Sequence, residues 1–263
     1  MKILFDGKAI IIGLDKIDSE VLDLYPDLKV IGSPTTGLDH INLQECERRG
    51  IKVIFLQGSD LFMKYITSTA EHTIGLMIAL LRNYNLALNG REDREFYKGH
   101  TLFDKTLGII GYGRVGKQVE QLAKAFGMKV LSYDKVNNYK GESDLNGLLY
   151  ESDVVSLHIP LQDNEGFFTK QFLGMMKPAA YLINTSRDKV IERGALRWAL
   201  DNEMIAGAAV DFIDSLELVE YAKTHDNLVL TNHIGGCTHE DMERTKQYVL
   251  NKVENYLEDN KYV

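Results

Sequence analysis

The sequence predicts an α/β protein with two parallel sheets, and three observations predict it. The first is Thr106-Leu-Gly-Ile-Ile-Gly-Tyr-Gly-Arg-Val-Gly116, where a short apolar run meets a glycine triplet that opens a helical pattern. The second is the rhythm that follows: strand candidates at 107–110, 129–133, 153–157, 180–184, 206–210 and 228–231, with helical segments between most of them. The third is a smaller alternation of the same kind in residues 1–56. Apolar runs fit for burial on both faces, joined by crossover helices, are what parallel sheets require.

Two short apolar runs, 1–5 and 8–13, open the chain with only Asp6-Gly7 between them. An Asp-Gly pair so placed signals a tight hairpin and an antiparallel edge strand; the alternative is one long strand kinked at Gly7. A capped helix follows in Asp18-Ser-Glu-Val-Leu-Asp-Leu-Tyr25, stopped by Pro26. Next come a strand at 28–32, a helix at 42–49 ended by Gly50, and a strand at 51–56. Residues 68–89 are the longest helical pattern before the glycine loop, with Ile74, Met77, Ile78, Leu81 and Tyr84 on one face. Asn85 interrupts that face and Leu88 resumes it. Core packing, a domain bridge and a dimer interface are all open to such a helix. Residues 90–100 are charged and polar, as a linker surface would be.

The glycines of Gly111-x-Gly113-x-x-Gly116 serve three separate ends, namely a tight turn, approach of backbone to a pyrophosphate, and close helix–strand packing. Val115, Val119, Leu122, Ala123 and Phe126 keep helical spacing up to Gly127, the C-terminal cap. The helix N-terminus then faces the phosphates with its N–H groups and positive end. The next strand ends in Asp134, about 20 residues on, where an acid accepts hydrogen bonds from the adenosine ribose. A carboxylate there repels a 2′-phosphate, so NAD is favoured over NADP. Strand, glycines, helix, strand and acid in series predict a Rossmann doubly wound sheet of six parallel strands. Its further helices are placed at 143–151, 169–176 and 192–202, with a less clearly helical link between the fifth and sixth strands. The last segment, 239–258, carries Met242, Val249, Val253, Tyr256 and Leu257 on one face and is expected to pack on the first domain. The domains are accordingly set at 1–92 for substrate, 93–235 for NAD, and 236–263 for the returning C-terminal helix.

Net charge −8 over 263 residues, with no basic run, argues against nucleic acid as a partner. Cys46 and Cys237 are too few and too far apart for a disulfide framework, and suit a reducing compartment. The opening Met-Lys-Ile-Leu-Phe-Asp-Gly turns polar too soon for a signal peptide. No apolar run reaches the roughly 20 residues of a membrane helix. A cytoplasmic protein with no membrane partner and no metal is expected.

In a doubly wound sheet, ligands lie beyond the carboxyl ends of the strands, at the switch in strand order. For the order 3-2-1-4-5-6 that crevice opens between the first and fourth strands. Gly111 follows the first strand, Arg187 the fourth, Asp211 the fifth and His233 the sixth. An Arg, an acid and a His thus converge on the nicotinamide ring. Hydride arriving at a ketone carbon leaves an oxyanion, to which a His gives a proton that it takes back in reverse. The Arg fork holds a carboxylate and polarises the adjacent carbonyl. A carboxylate on the far imidazole nitrogen would fix the tautomer. Taken singly, the His reads as packing, the Arg as surface and Asp211 as a turn cap; their joint placement on one rim favours function. His158, in Leu157-His-Ile-Pro160, falls on the adenine half and reads as a cofactor-pocket or structural residue. His40, His72, His100, His225 and His239 read as structural or surface.

With these motifs assembled, the chain resembles the D-isomer-specific 2-hydroxyacid dehydrogenases, the family of phosphoglycerate, glycerate, formate and D-lactate dehydrogenases. The likeness rests on Thr36-Gly-Leu-Asp-His-Ile41, Ser68-Thr-Ala-Glu-His72, the glycine motif, Ser156-Leu-His-Ile-Pro160, Met176-Lys-Pro178, Ile183-Asn-Thr-Ser-Arg187, Gly207-Ala-Ala-Val-Asp211 and His233-Ile-Gly-Gly236. It implies an NAD-dependent oxidoreductase acting between a small 2-oxo acid and a D-2-hydroxy acid. It also implies a smaller, flavodoxin-like α/β substrate domain beside the Rossmann sheet. By resemblance, Arg187 binds the substrate carboxylate and carbonyl, His233 is the acid/base, and Thr36 and Gly37 offer backbone N–H groups to the carboxylate. Asp211 would hold the nicotinamide amide. Gly111, Gly113, Arg114, Val115, Gly116, Asp134, His158, Pro160, Thr185 and Gly235 complete the implied cofactor set. A homodimer is implied, with the helix after Ser68 in its interface.

Three departures from the family pattern matter. The family's catalytic Glu falls five residues after the Asp matching Asp211, where this chain has Leu216. One inserted residue brings Glu217 into that place, and Asp214 is the substitute. Asp188 stands where the family has Gly, a negative charge beside the substrate's partner. Third, the substrate domain is expected to be truncated at its start, leaving apolar surface for a partner subunit. A second reading of the same residues is a catalytically weak or inactive NAD-binding oligomeric or regulatory protein. Contact of Glu217 or Asp214 with His233 separates the two.

Overall fold

The computed structural model describes residues 2–4, 7–57, 61–90, 92–135, 144–212 and 215–262. The chain divides into two compact units, Met1–Ile66 with Thr238–Val263, and Thr67–Cys237.

In the first unit, β1 (Lys2–Leu4), β2 (Ala9–Ile11), β3 (Val30–Ser33) and β4 (Lys52–Phe55) form one sheet in that order. β1 runs antiparallel to β2, with Leu4 opposite Ala9, so the opening runs are a hairpin pair rather than one kinked strand. The other pairs are parallel, linked through α1 (Ser19–Asp23) and α2 (Leu43–Arg48). Asp18 and Asn42 cap these helices, their side chains accepting the N–H of Val21 and Glu45. The C-terminal helix α10 (His239–Asp259) buries Val249, Val253 and Leu257 with Ala9, Ile11 and Val30. Gly32 allows that approach: a Cβ there would stand 2.8 Å from Val249 Cγ1 and 2.9 Å from Val253 Cγ2.

The second unit holds six parallel strands: β5 (Thr106–Ile110), β6 (Lys129–Tyr133), β7 (Val154–Leu157), β8 (Tyr181–Asn184), β9 (Gly207–Val210) and β10 (Leu228–Leu230). β7 and β9 are buried along their whole length, as the continuous apolar runs require. The order is β10-β9-β8-β7-β5-β6. This corrects the expected one: the third strand lies beside the first, and the switch falls between β5 and β7. The crossover from β6 to β7 therefore passes over β5: helix α6 (Leu145–Glu151) lies close on Gly108, where a Cβ would meet Ser152 Oγ at 2.3 Å and Leu148 Cδ2 at 2.5 Å.

Two boundaries also differ from expectation. The pattern at 68–89 is two helices, α3 (Ser68–Leu81) and α4 (Tyr84–Asn89), parted at Asn83, which adopts φ +54. Asn85, the residue that breaks the apolar stripe, donates its amide to the Leu228 carbonyl at 3.0 Å. Further, α3 belongs to the second unit, so the first unit's opening segment ends at residue 66 and not at 92. The reason is packing: Leu76, Met77 and Leu80 of α3 share a core with Leu107, Ile109, Val119, Ile183 and Ala209. Among the described residues, the unit also holds the α-helices α5 (Arg114–Ala125), α7 (Lys170–Met175), α8 (Ala195–Asp201) and α9 (Leu216–Ala222). The last fills the link between fifth and sixth strands and is capped by Ser215.

Candidate active site

The glycine loop sits between the end of β5 and α5. Gly111 adopts φ +97, and a Cβ on it would lie 2.5 Å from the His158 carbonyl oxygen. A Cβ on Gly116 would lie 2.2 Å from the Gly111 carbonyl oxygen. Those two positions therefore exclude any side chain. Gly113 caps α5 and faces open space, with nothing within 4 Å of the place its Cβ would take. Arg114 and Val115 open the helix, so their N–H groups belong to the first turn, which has no intrahelical acceptors. Asp134, at the end of β6, accepts the Tyr112 N–H at 2.8 Å, which fastens the acid to the glycine loop. An open glycine, a helix start and a fixed carboxylate fit a pyrophosphate and a ribose.

His158 lies at the switch point, not on the adenine half, because β7 is the neighbour of β5. Its N–H donates to the Ile110 carbonyl at 2.7 Å, and its Nε2 is 2.9 Å from Ser156 Oγ. Burial pushes the imidazole down to about 4, although its surface is not wholly sealed. It stays neutral at physiological pH and supplies no cationic acid. Pro160 is exposed just beyond it.

β8, β9 and β10 run parallel, so Arg187, Asp211 and His233 leave the sheet on one rim. Buried Asn184 ends β8 and builds the Arg187 turn. Its Oδ1 accepts the Ser186 N–H at 2.9 Å and hydroxyl at 2.7 Å, and its Nδ2 donates to the Arg187 carbonyl at 3.0 Å. Thr185 is bonded through its hydroxyl to Thr73 Oγ1 of α3 at 2.9 Å. The Asp211 N–H donates to the Asn184 carbonyl at 3.0 Å, joining this turn to the next loop.

Asp211 is 3% exposed and surrounded by donors. Oδ1 accepts the Thr231 hydroxyl at 2.7 Å and the Ile234 N–H at 2.8 Å, while Oδ2 accepts the Gly235 N–H at 2.7 Å. His72 Nε2 stands 3.4 Å from Oδ1. Burial works against the charge, but the hydrogen bonds from His72, Thr231, Ile234 and Gly235 outweigh it and hold the carboxyl below its ordinary value. The anchor's stabilisation is therefore present above the ordinary carboxylate range and is lost only as pH falls through the depressed value. His233 immediately precedes the two bonded amides, is exposed, and takes φ +53. A left-handed non-glycine residue persists only where its surroundings fix it; here the Asp211 carboxylate does so.

The imidazole that Asp211 touches is thus His72 and not His233. Glu217 does not meet His233 either. It is exposed on the first turn of α9, its charge acts on Arg197, and among the described residues no hydrogen bond or ion pair joins it to His233. Asp214 lies outside the described residues. Asp188 opens a short 3₁₀ turn directly after Arg187. In the first unit, Thr35 Oγ1 donates to the Gly37 carbonyl at 2.8 Å and lies 2.7 Å from Ser33 Oγ, which shapes the Thr36-Gly37 loop. Sequence reasoning passed over Asn184, Thr231 and His72. Asn184 and Thr231 were detectable as polar residues at the ends of buried strands. No group of His, Cys, Asp and Glu suited to a metal occurs among the described residues, nor is any helix there long and apolar enough to cross a membrane.

Residues 74–235 match the family model for the D-isomer specific 2-hydroxyacid dehydrogenase, NAD binding domain. A glyoxylate reductase of Thermofilum pendens is 36% identical over 249 residues, covering 88% of this chain and 72% of that relative. A hydroxypyruvate reductase of Thermotoga maritima is 30% identical over 270 residues, covering 96% and 86%. The crystal structure of D-lactate dehydrogenase from Aquifex aeolicus, complexed with NAD and lactic acid, superposes with a TM-score of 0.79 at 29% identity, covering 99% of this chain and 87% of that one.

Proposed function

The chain belongs to the D-isomer-specific 2-hydroxyacid dehydrogenases, and we propose that it reduces a small 2-oxo acid with Arg187 and His233 as its working side chains. It is an NAD-dependent 2-hydroxyacid oxidoreductase, the bound nicotinamide giving the hydride in one direction and taking it in the other. Arg187 grips the carboxylate through its planar fork and polarises the adjoining carbonyl. His233 gives a proton to the oxygen that becomes the hydroxyl and recovers it in reverse. The backbone amides of Thr36 and Gly37 are further donors to the carboxylate. Asp211 acts on the ring end of the cofactor through the turn it holds. Thr185, Pro160, His158 and Gly235 line the cofactor in this reading. Glyoxylate and hydroxypyruvate are the substrates proposed, from the relatives that reduce them by name. A cytoplasmic homodimer is the assembly proposed with them.

The single observation that carries this reading is the rim itself: the Arg187 turn and the His233 turn are both fastened to Asp211, one through Asn184 and the other through two amides. The lack of a Glu217 bond to His233 would favour the second reading, an inactive NAD-binding protein; the family match and the shared Asp211 anchor support the oxidoreductase.

A panel of 2-oxo acids, each with NADH and with NADPH, tests the proposal by loss of reduced-nicotinamide absorbance. Consumption of NADH with glyoxylate or hydroxypyruvate is expected. NADPH should be slower by at least about tenfold, since one charge repulsion of roughly 1.4 kcal/mol has that effect. In Asp134→Ala the preference should narrow. No consumption with any acid would refute the activity, and an unchanged cofactor ratio in the variant would refute the ribose contact.

A further inference from the structure

We infer that His72 is a positioning residue that holds the His233 turn in place, acting through Thr231 and Asp211. The inference rests on the proposed roles of Arg187 and His233.

Hydrogen counting fixes what His72 does. An ionised carboxylate only accepts, so the hydroxyl hydrogen of Thr231 is committed to Asp211 Oδ1 at 2.7 Å. The Thr231 oxygen is then an acceptor toward His72 Nε2, 3.1 Å away. Nε2 must carry a proton, and the same N–H also faces Asp211 Oδ1 at 3.4 Å. His72 thereby completes a ring of donors round one buried carboxylate, whose other donors are the Thr231 hydroxyl and the amides of the turn after His233.

The carboxylate also limits the turn by shape: a Cβ built on Gly235 would lie 2.8 Å from Asp211 Oδ2, with His72 Cδ2 and Thr69 Cγ2 in ordinary contact at 3.5 and 3.6 Å. The next residue on the same helix, Thr73, is bonded to Thr185 at 2.9 Å and to the Thr69 carbonyl at 2.8 Å. Adjacent residues of α3 therefore reach both loops, His72 the one that bears His233 and Thr73 the one that bears Arg187. A helix with its flank in the core keeps that spacing fixed, and reacting groups need such fixed spacing.

The test uses His72→Leu, which removes the donor, and His72→Gln, which keeps an N–H at similar reach. With NADH and a 2-oxo acid that the wild type reduces, His72→Leu is expected to lower kcat about tenfold, the size of one lost hydrogen bond. NADH affinity should change less than kcat, because the glycine loop, the start of α5 and Asp134 are untouched, and His72→Gln should recover most of kcat, because the donor is restored. Independently of turnover, amide exchange of Ile234 and Gly235 should quicken in His72→Leu while that of β5 stays unaltered. Should His72→Leu fail to fold, Thr231→Val breaks the same relay and is expected to give the same two changes. Unaltered kcat with unaltered exchange overturns the inference, as does a His72→Gln variant as slow as His72→Leu. A wild type without turnover would instead defeat the parent reading, leaving the exchange measurement to decide the role of His72.

Discussion

Arg187→Ala is expected to lower kcat/KM by about a thousandfold while NADH binding is kept, the scale on which single transition-state donors act. The backbone of this turn does not depend on the side chain. Asn184 holds it through the Arg187 carbonyl and the Ser186 N–H, both of which survive the substitution. The side chain donates to the Ser186 carbonyl at 2.9 Å. Loss of stability should accordingly be small beside loss of turnover. Arg187→Lys restores the charge without the planar fork and should recover only part of the rate. Steady-state kinetics with a fluorescence titration of NADH separates these effects. Turnover that survives in Arg187→Ala would end the assignment.

The second large effect is expected at His233, where the choice of replacement matters. The residue sits at φ +53, a conformation that Asn adopts more readily than most side chains. His233→Asn thus removes the acid/base group while leaving the turn on Asp211 intact. Its kcat should fall by about a hundredfold to ten-thousandfold, the range for general acid–base catalysis. His233→Val would lose the turn as well, since a β-branched residue is strained there, and should lower thermal stability in addition. An Asn variant close to wild-type turnover would place the proton donor elsewhere.

What could be read in the sequence was what local rules decide. Gly111 has the positive φ, Gly113 the open face and Gly116 the close contact that their spacing calls for, because these are properties of single positions. All six strands of the nucleotide unit were legible from apolar runs, and the opening hairpin from Asp6-Gly7. Strand order was not, because it depends on which strands pair across the sheet, here β7 with β5, a relation between segments that periodicity does not report. Asp211 could be placed on its rim, but its partner His72 could not be read, because it comes from a helix far earlier in the chain. Glu217 was reached by counting along a motif through an insertion. The helix that forms there turns Leu218 and Tyr221 inward, which leaves Glu217 outside beside Arg197. The break at Asn83 was hidden as well, since its side-chain amide bonds to the Lys98 carbonyl at 2.9 Å across a loop.

The most direct measurement is a crystal structure with NADH and oxamate, an unreactive compound that has a 2-oxo acid's carboxylate and carbonyl. The guanidinium of Arg187 should lie against the oxamate carboxylate, with a ring nitrogen of His233 within hydrogen-bond reach of its carbonyl oxygen. Either side chain turned away from the oxamate, or the oxamate bound at another place, would contradict the mechanism.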